Sequence, residues 1–222
     1  MPLIVNKSFS SDVDNEWIYE LESEGHFLTY WQQARLIYDN CSASDRIAEV
    51  GVGSSLLADM LRRRGWSIFT VDIDEKKSPD LCSDMRDAAY SANEIETIAA
   101  FEVFEHVPFY HFADSVSYFY QENIKKIIFS LPRCESIFFS ASLKLPRLRK
   151  FRLALSRNLK SISTKNHYWE LGRSDRVLSG EKELISFRTL EKTFSDSGFS
   201  VAQVGKLSQI QFFVAERTGR SA

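Results

Sequence analysis

The stretch Glu49-Val50-Gly51-Val52-Gly53 sets a carboxylate before two glycines one residue apart. Glycines at such a point let the backbone turn sharply and let a ligand approach it closely. A helix starting just beyond would offer unpaired N–H groups to the ligand's polar atoms. In dinucleotide enzymes the comparable turn reads G-x-G-x-x-G and receives a pyrophosphate. Here Leu56 stands at the third glycine position, and Glu49 would sit badly beside a pyrophosphate. A cationic ligand suits it better. Asp72 follows about one strand and one helix later, where a carboxylate can accept both hydroxyls of a ribose. Asp84-Met85 comes one strand further on, a carboxylate for an exocyclic amine beside a flat apolar side chain for a nucleobase ring. Taken singly, the glycines read as a tight turn and Asp72 as a helix cap. Their order, each at a strand's carboxyl end, is the stronger signal, because open α/β sheets bind ligands there.

The elements that would position these groups are legible from hydrophobic periodicity. Residues 1–14 are polar. Residues 15–40 carry Trp17, Leu21, Leu28, Trp31, Ala34 and Ile37 at helical spacing, read as one or two helices broken near Gly25. The period then becomes that of strands alternating with helices. Strands are expected at 46–50, 67–71, 81–85, 95–101 and 126–130, and helices at 56–64 and 110–121. Alternation at this pitch implies βαβ units and a mostly parallel sheet. The end differs: a helix over 187–197 stopped by Gly198, then strands over 199–204 and 210–215 joined by a short connection, which is an antiparallel hairpin.

On the residues RIAEVGVGSSLLADMLRRRGWSIFTVDIDE, DLCSDM and IETIAAFEVFEHVPF, the chain resembles a class I S-adenosylmethionine-dependent methyltransferase. The resemblance covers about residues 30–132, and 185–215 by architecture. It implies a seven-stranded Rossmann-like α/β sheet, mostly parallel, with a C-terminal antiparallel hairpin. It also implies S-adenosyl-L-methionine as cofactor, with the methionine part held by Glu49, Gly51 and Gly53. The ribose falls to Asp72, with Ile73 beside it, and the adenine to Asp84 and Met85; Phe101 packs near the donor. Ser55 stands where many members carry a further glycine.

Methyl transfer from a sulfonium is an in-line displacement, so the protein mainly positions the acceptor. A hydroxyl acceptor would gain from a nearby base. His106, in the run from Phe101 to His106, is one candidate base; it reads equally as a structural histidine. His167-Tyr168-Trp169-Glu170 is the other dense cluster, read as a pocket wall, with His167 a second catalytic candidate, or as a helix start packed on the core. His26 and His111 read as surface or core-edge residues. No metal-ligand set is read.

Between Pro132 and His167 basic residues interleave with apolar ones against the single acid Glu135. This stretch is expected to form a helical lid over 134–175. Its readings are a solvated basic face, a site for an anionic acceptor such as a phosphorylated sugar or lipid-linked saccharide, or a peripheral membrane contact through 143–160. The net charge of −2 argues against nucleic acid. Cys41, Cys82 and Cys134 are odd in number and far apart, so a reduced, cytoplasmic protein is expected. The first residues lack the basic-then-apolar pattern of a signal peptide. At 222 residues a single domain is expected. The rival readings are a nicotinamide-dependent oxidoreductase and a non-catalytic scaffold.

Overall fold

A computed structural model describes residues 23–143, 151–159, 161–162, 164–180 and 182–219. Trp17 and Leu21 therefore lie outside the described residues, as do Lys144 to Lys150 of the basic stretch. Helix α1, Glu24–Asn40, begins at Ser23, whose side chain accepts from the His26 N–H. The helix start falls beside Gly25, where the break was expected, and the residues before Ser23 lie outside the described ones. β1 (Arg46–Val50), α2 (Leu56–Arg62), β2 (Ser67–Asp72), β3 (Leu81–Cys82), β4 (Thr97–Phe101), α3 (Phe109–Gln121) and β5 (Lys126–Pro132) follow. Beyond the insertion the chain closes with α4 (Phe187–Asp196), β11 (Phe199–Leu207) and β12 (Ile210–Arg217).

The main sheet has seven strands in the order β11-β12-β5-β4-β1-β2-β3. β1, β2, β3, β4 and β5 are parallel, and β12 pairs antiparallel with both β5 and β11. Strand side chains alternate between faces. Ile47, Ala99, Ile128, Phe212 and Val214 pack under α1 and α2 with Leu36, Ile37, Leu57 and Leu61. Ala48, Val50, Ile98, Ala100, Ile127, Phe129 and Phe213 face α3 and α4 with Phe112, Val116, Phe119, Leu190 and Phe194. The sheet is thus covered on both faces, as a parallel sheet requires. The turn between β1 and α2 opens at the strands' carboxyl ends, beside the point where the order reverses from β1–β2 to β1–β4.

The C-terminal hairpin is longer than the sequence suggests. Gly205, expected in the connection, pairs with Phe212 at a register shift, and the turn falls at Ser208, whose φ is 54°. A glycine within a strand accommodates such a bulge.

The helical lid expected at 134–175 is corrected by the structure: its described residues form strands and loops, with no helix among them. β6 (Glu135–Leu143) and β7 (Phe151–Asn158) make an antiparallel hairpin. β8 (Trp169–Gly172), β9 (Arg176–Val177) and β10 (Glu183–Ser186) make a small second sheet. In ESIFFSASL, Ser140 and Ser142 alternate with Phe139, Ala141 and Leu143, a period of two, and the register shift between Ile137 and Phe139 falls where Phe138 interrupts it. The amphipathic helix needed for the membrane reading is therefore not formed by the described part of 143–160. No described helix is long and apolar enough to cross a membrane.

Ser55, at the further glycine position, adopts φ 62° as the cap of α2 and makes no side-chain capping bond. The left-handed conformation costs a non-glycine residue about 1–2 kcal/mol. Ser55→Gly is expected to raise the thermal midpoint by about 2–4 °C, read by thermal unfolding; no gain would show that the serine is not strained.

Candidate functional site

The turn after β1 is shaped by Gly51, at φ 77°. A Cβ there would lie 2.4 Å from Val103 Cγ2, so the turn and the loop after β4 touch at a point only glycine fits. Asp72, buried at the end of β2, ties the turn in place. Its Oδ2 accepts the Val52 N–H at 2.8 Å, and its Oδ1 accepts the Asp74 N–H at 2.9 Å. Lys77 Nζ lies 3.3 Å from Oδ2. Glu49 is buried beneath the turn, and its Oε2 has no partner among the described residues. Burial pushes its carboxyl up to about 8, against the opposing pull of Arg62. It is therefore neutral at physiological pH and gains from an added cation.

Ile73 is half exposed, and Met85 lies buried nearby; both line one cavity with Glu49, Gly51 and Asp72. Asp84 is engaged by Arg86, with Nε at 2.9 Å from Oδ1 and a terminal nitrogen at 2.8 Å from Oδ2. Those bonds hold its carboxyl below the usual carboxylate range. Its carboxylate thus shapes its own loop, with lone pairs left for a further donor.

The loop after β4 forms the other wall. Glu102, at φ 55°, is bonded to Ser130 through both its backbone N–H (3.1 Å) and its Oε1 (2.7 Å). Three residues on, Glu105 is fully buried, and neither carboxylate oxygen has a partner among the described residues. Its backbone carbonyl accepts the Tyr168 N–H at 2.8 Å. Trp169 donates its indole N–H to the carbonyls of Phe104 and Val107, each at 3.1 Å. These bonds fasten β8 to the loop and carry His167 to His106, ring centroids 4.9 Å apart. The expected helix start at His167–Glu170 is instead the lead-in to a strand, which is how the clamp is made. Burial, with His167 nearby, holds His106 down to about 4, so it is a neutral imidazole and a weak general base at pH 7.

Both walls enclose a single cavity of about 1200 Å³ that runs from Tyr30 and Gln33 of α1 to Lys165 and Lys182 of the insertion. Small-molecule sites usually span about 300–1,000 Å³, so two ligands can be accommodated side by side.

Residues 31–100 match the model of an uncharacterised protein family, UPF0146. No curated protein sequence matches the chain. Many solved structures are similar in fold, among them the following three. Magnesium protoporphyrin IX methyltransferase ChlM from Synechocystis PCC 6803, with bound S-adenosylmethionine, superposes with a TM-score of 0.58 at 14% identity, covering 94% of this chain and 92% of its own. The glycopeptide N-methyltransferase MtfA, complexed with S-adenosylmethionine, gives 0.54 at 13%, covering 85% and 93%. An S-adenosylmethionine-dependent methyltransferase from Mesorhizobium loti gives 0.53 at 12%, covering 84% and 97%. The fold is that of class I S-adenosylmethionine-dependent methyltransferases.

On this methyltransferase fold the structure gathers Glu49, Gly51, Gly53, Asp72, Ile73, Asp84, Met85 and Phe101 around one cavity, which His106 and His167 also line. His26 and His111, expected at the surface or core edge, line that cavity too. Tyr30 and Lys77 were not legible as site residues. Tyr30 shares a 3.0 Å hydrogen bond with Ser54 of the turn, a pairing 24 residues apart that no local spacing signals. Lys165 and Lys182 arrive from the insertion, whose strand topology the sequence obscures.

Proposed function

We propose that the protein transfers a methyl group from S-adenosylmethionine to a small-molecule acceptor, anionic or part of a glycan or lipid-linked saccharide, and does so in the cytoplasm. The observation that carries the reading is the continuous cavity. It joins the turn of Glu49 and Gly51 and the carboxylate of Asp72 to a second region of histidines and lysines. In this reading Glu49 faces the cationic methionine end of the donor, Asp72 takes the ribose, and Ile73 and Met85 flank the adenine. Lys165 and Lys182 meet the acceptor's negative charge. Transfer needs the acceptor atom in line with the donor's methyl, which the wall from Phe101 to His106 would set by position.

Thermal unfolding with S-adenosylmethionine, S-adenosylhomocysteine and NAD tests this. At a hundredfold excess over Kd, a bound ligand adds about 2.7 kcal/mol, a shift of roughly 5–10 °C. A shift with the first two is expected. No shift would favour a scaffold, and a shift with NAD alone an oxidoreductase.

Glu49 adds a pH dependence. An exposed carboxyl ionises near 4.3, whereas this one does so near 8 in the ligand-free fold. The folded state keeps a proton that the unfolded chain has lost, so ligand-free stability falls as pH rises through that window. A cationic donor needs the ionised form. Its affinity is expected to rise with pH, approaching about tenfold per unit between pH 6 and 7.5, and to flatten in Glu49→Gln. Calorimetric titration in two buffers of different ionisation heat reads the proton released; a pH-independent affinity would contradict Glu49 as the donor's partner.

A further inference from the structure

We propose that Glu105, His106 and His167 bind a divalent transition-metal cation beside the cavity. One ligand atom from each lies within 4.8 Å of the others, a separation a single cation can span with small movements. Glu105 carries the strongest demand. It is completely buried, and neither oxygen has a hydrogen-bond partner among the described residues. A buried carboxylate left this way is costly, and buried charges are ordinarily paired or bound to metal.

Each imidazole already has one ring nitrogen engaged. His106 Nδ1 lies 3.1 Å from the Asn166 carbonyl oxygen, which can only accept, so Nδ1 carries the proton. His167 Nδ1 lies 2.9 Å from Glu170 Oε1 and donates to that carboxylate. In both rings the Nε2 lone pair is left for another partner. Metal-bound histidines are fixed in this way, by a carbonyl or carboxylate on the other nitrogen. The clamp of Trp169 and Tyr168 on the backbone of Phe104, Glu105 and Val107 holds the three ligands together before any cation arrives.

Two imidazole nitrogens and one carboxylate oxygen suit first-row divalent cations such as Mn²⁺, Co²⁺ or Zn²⁺. Three protein ligands leave positions open, as catalytic sites do. His106 and His167 line the same cavity as Gly51 and Asp72, so an open position would face the acceptor. The cation would hold an acceptor oxygen and ease loss of its proton. That role rests on the methyltransferase reading; the cation's binding does not.

The test is titration of metal-stripped full-length protein with Mn²⁺ and Zn²⁺ by calorimetry, with S-adenosylhomocysteine binding measured separately. One cation per chain is expected. His106→Gln and His167→Gln should each weaken it by more than about a hundredfold, and Glu170→Gln by about 10–100-fold, with S-adenosylhomocysteine affinity retained. Nitrogen hyperfine coupling in the Mn²⁺ spin-echo spectrum of the unaltered protein gives a readout independent of any variant. Absence of cation binding by the unaltered protein, or a bound Mn²⁺ without nitrogen coupling, would overturn the site. Failure of S-adenosylhomocysteine binding alone would overturn only the donor reading.

Discussion

Trp169→Ala is expected to lose about 3–5 kcal/mol of stability, which lowers the thermal midpoint by about 6–20 °C. Trp169 is fully buried against Phe109 and Phe112, each with ring centroids at 5.1 Å. Its removal leaves a cavity between α3 and β8 and strips the carbonyls of Phe104 and Val107 of their shared donor. Trp169→Phe separates the two effects. It keeps most of the packing and leaves two carbonyls without the indole, for a loss of about 1–3 kcal/mol. Circular dichroism melts of both variants read the difference. Equal midpoints for Trp169→Ala and the parent protein would contradict the clamp. Because β8 brings His167 to His106, Trp169→Ala is also expected to lose the arrangement of those two rings.

Gly51→Ala is expected to weaken donor binding by at least about a hundredfold, close to 3 kcal/mol. Two penalties act at one atom. The backbone at φ 77° disfavours any Cβ, and that Cβ would stand 2.4 Å from Val103 Cγ2. Relief requires the turn or the loop after β4 to move. The first withdraws the backbone from the donor; the second shifts Glu102 and His106 with Val103. Val103→Ala in the same chain removes the steric half alone. The double variant should recover part of the affinity, leaving the backbone cost of about 1–2 kcal/mol. Titration calorimetry with S-adenosylhomocysteine across the two single variants and the double variant reads this. Unchanged affinity in Gly51→Ala would contradict the turn as the donor's seat.

Glu49, Gly51, Gly53 and Asp72 were legible because their signals are local. The turn follows a five-residue strand, and the acid closes the next one. The hairpin of β11 and β12 was legible for the same reason, and only its glycine was misplaced, because a bulge and a loop both favour that residue. The insertion was misread as helical because leucines and basic residues after Leu143 satisfy a helical period while the serines before it satisfy a strand. The cavity-lining places of His26, His111 and Tyr30 were not legible, because they depend on how α1 and α3 cross the strand ends. Trp169 read as core or pocket wall; its bonds to carbonyls more than 60 residues away exist only in the fold. Nothing local in the sequence marks Glu105 as buried, yet it is fully buried.

The central claim is that the cavity beside Gly51 and Asp72 holds S-adenosylmethionine. Calorimetric titration of the full chain with S-adenosylhomocysteine at pH 8, beside Asp72→Asn, tests it most directly. One site per chain is predicted, with binding at least about tenfold weaker in Asp72→Asn, because the amide is neutral and presents only one acceptor oxygen to the ribose hydroxyls. An absence of binding, or equal affinity in the two proteins, would contradict it.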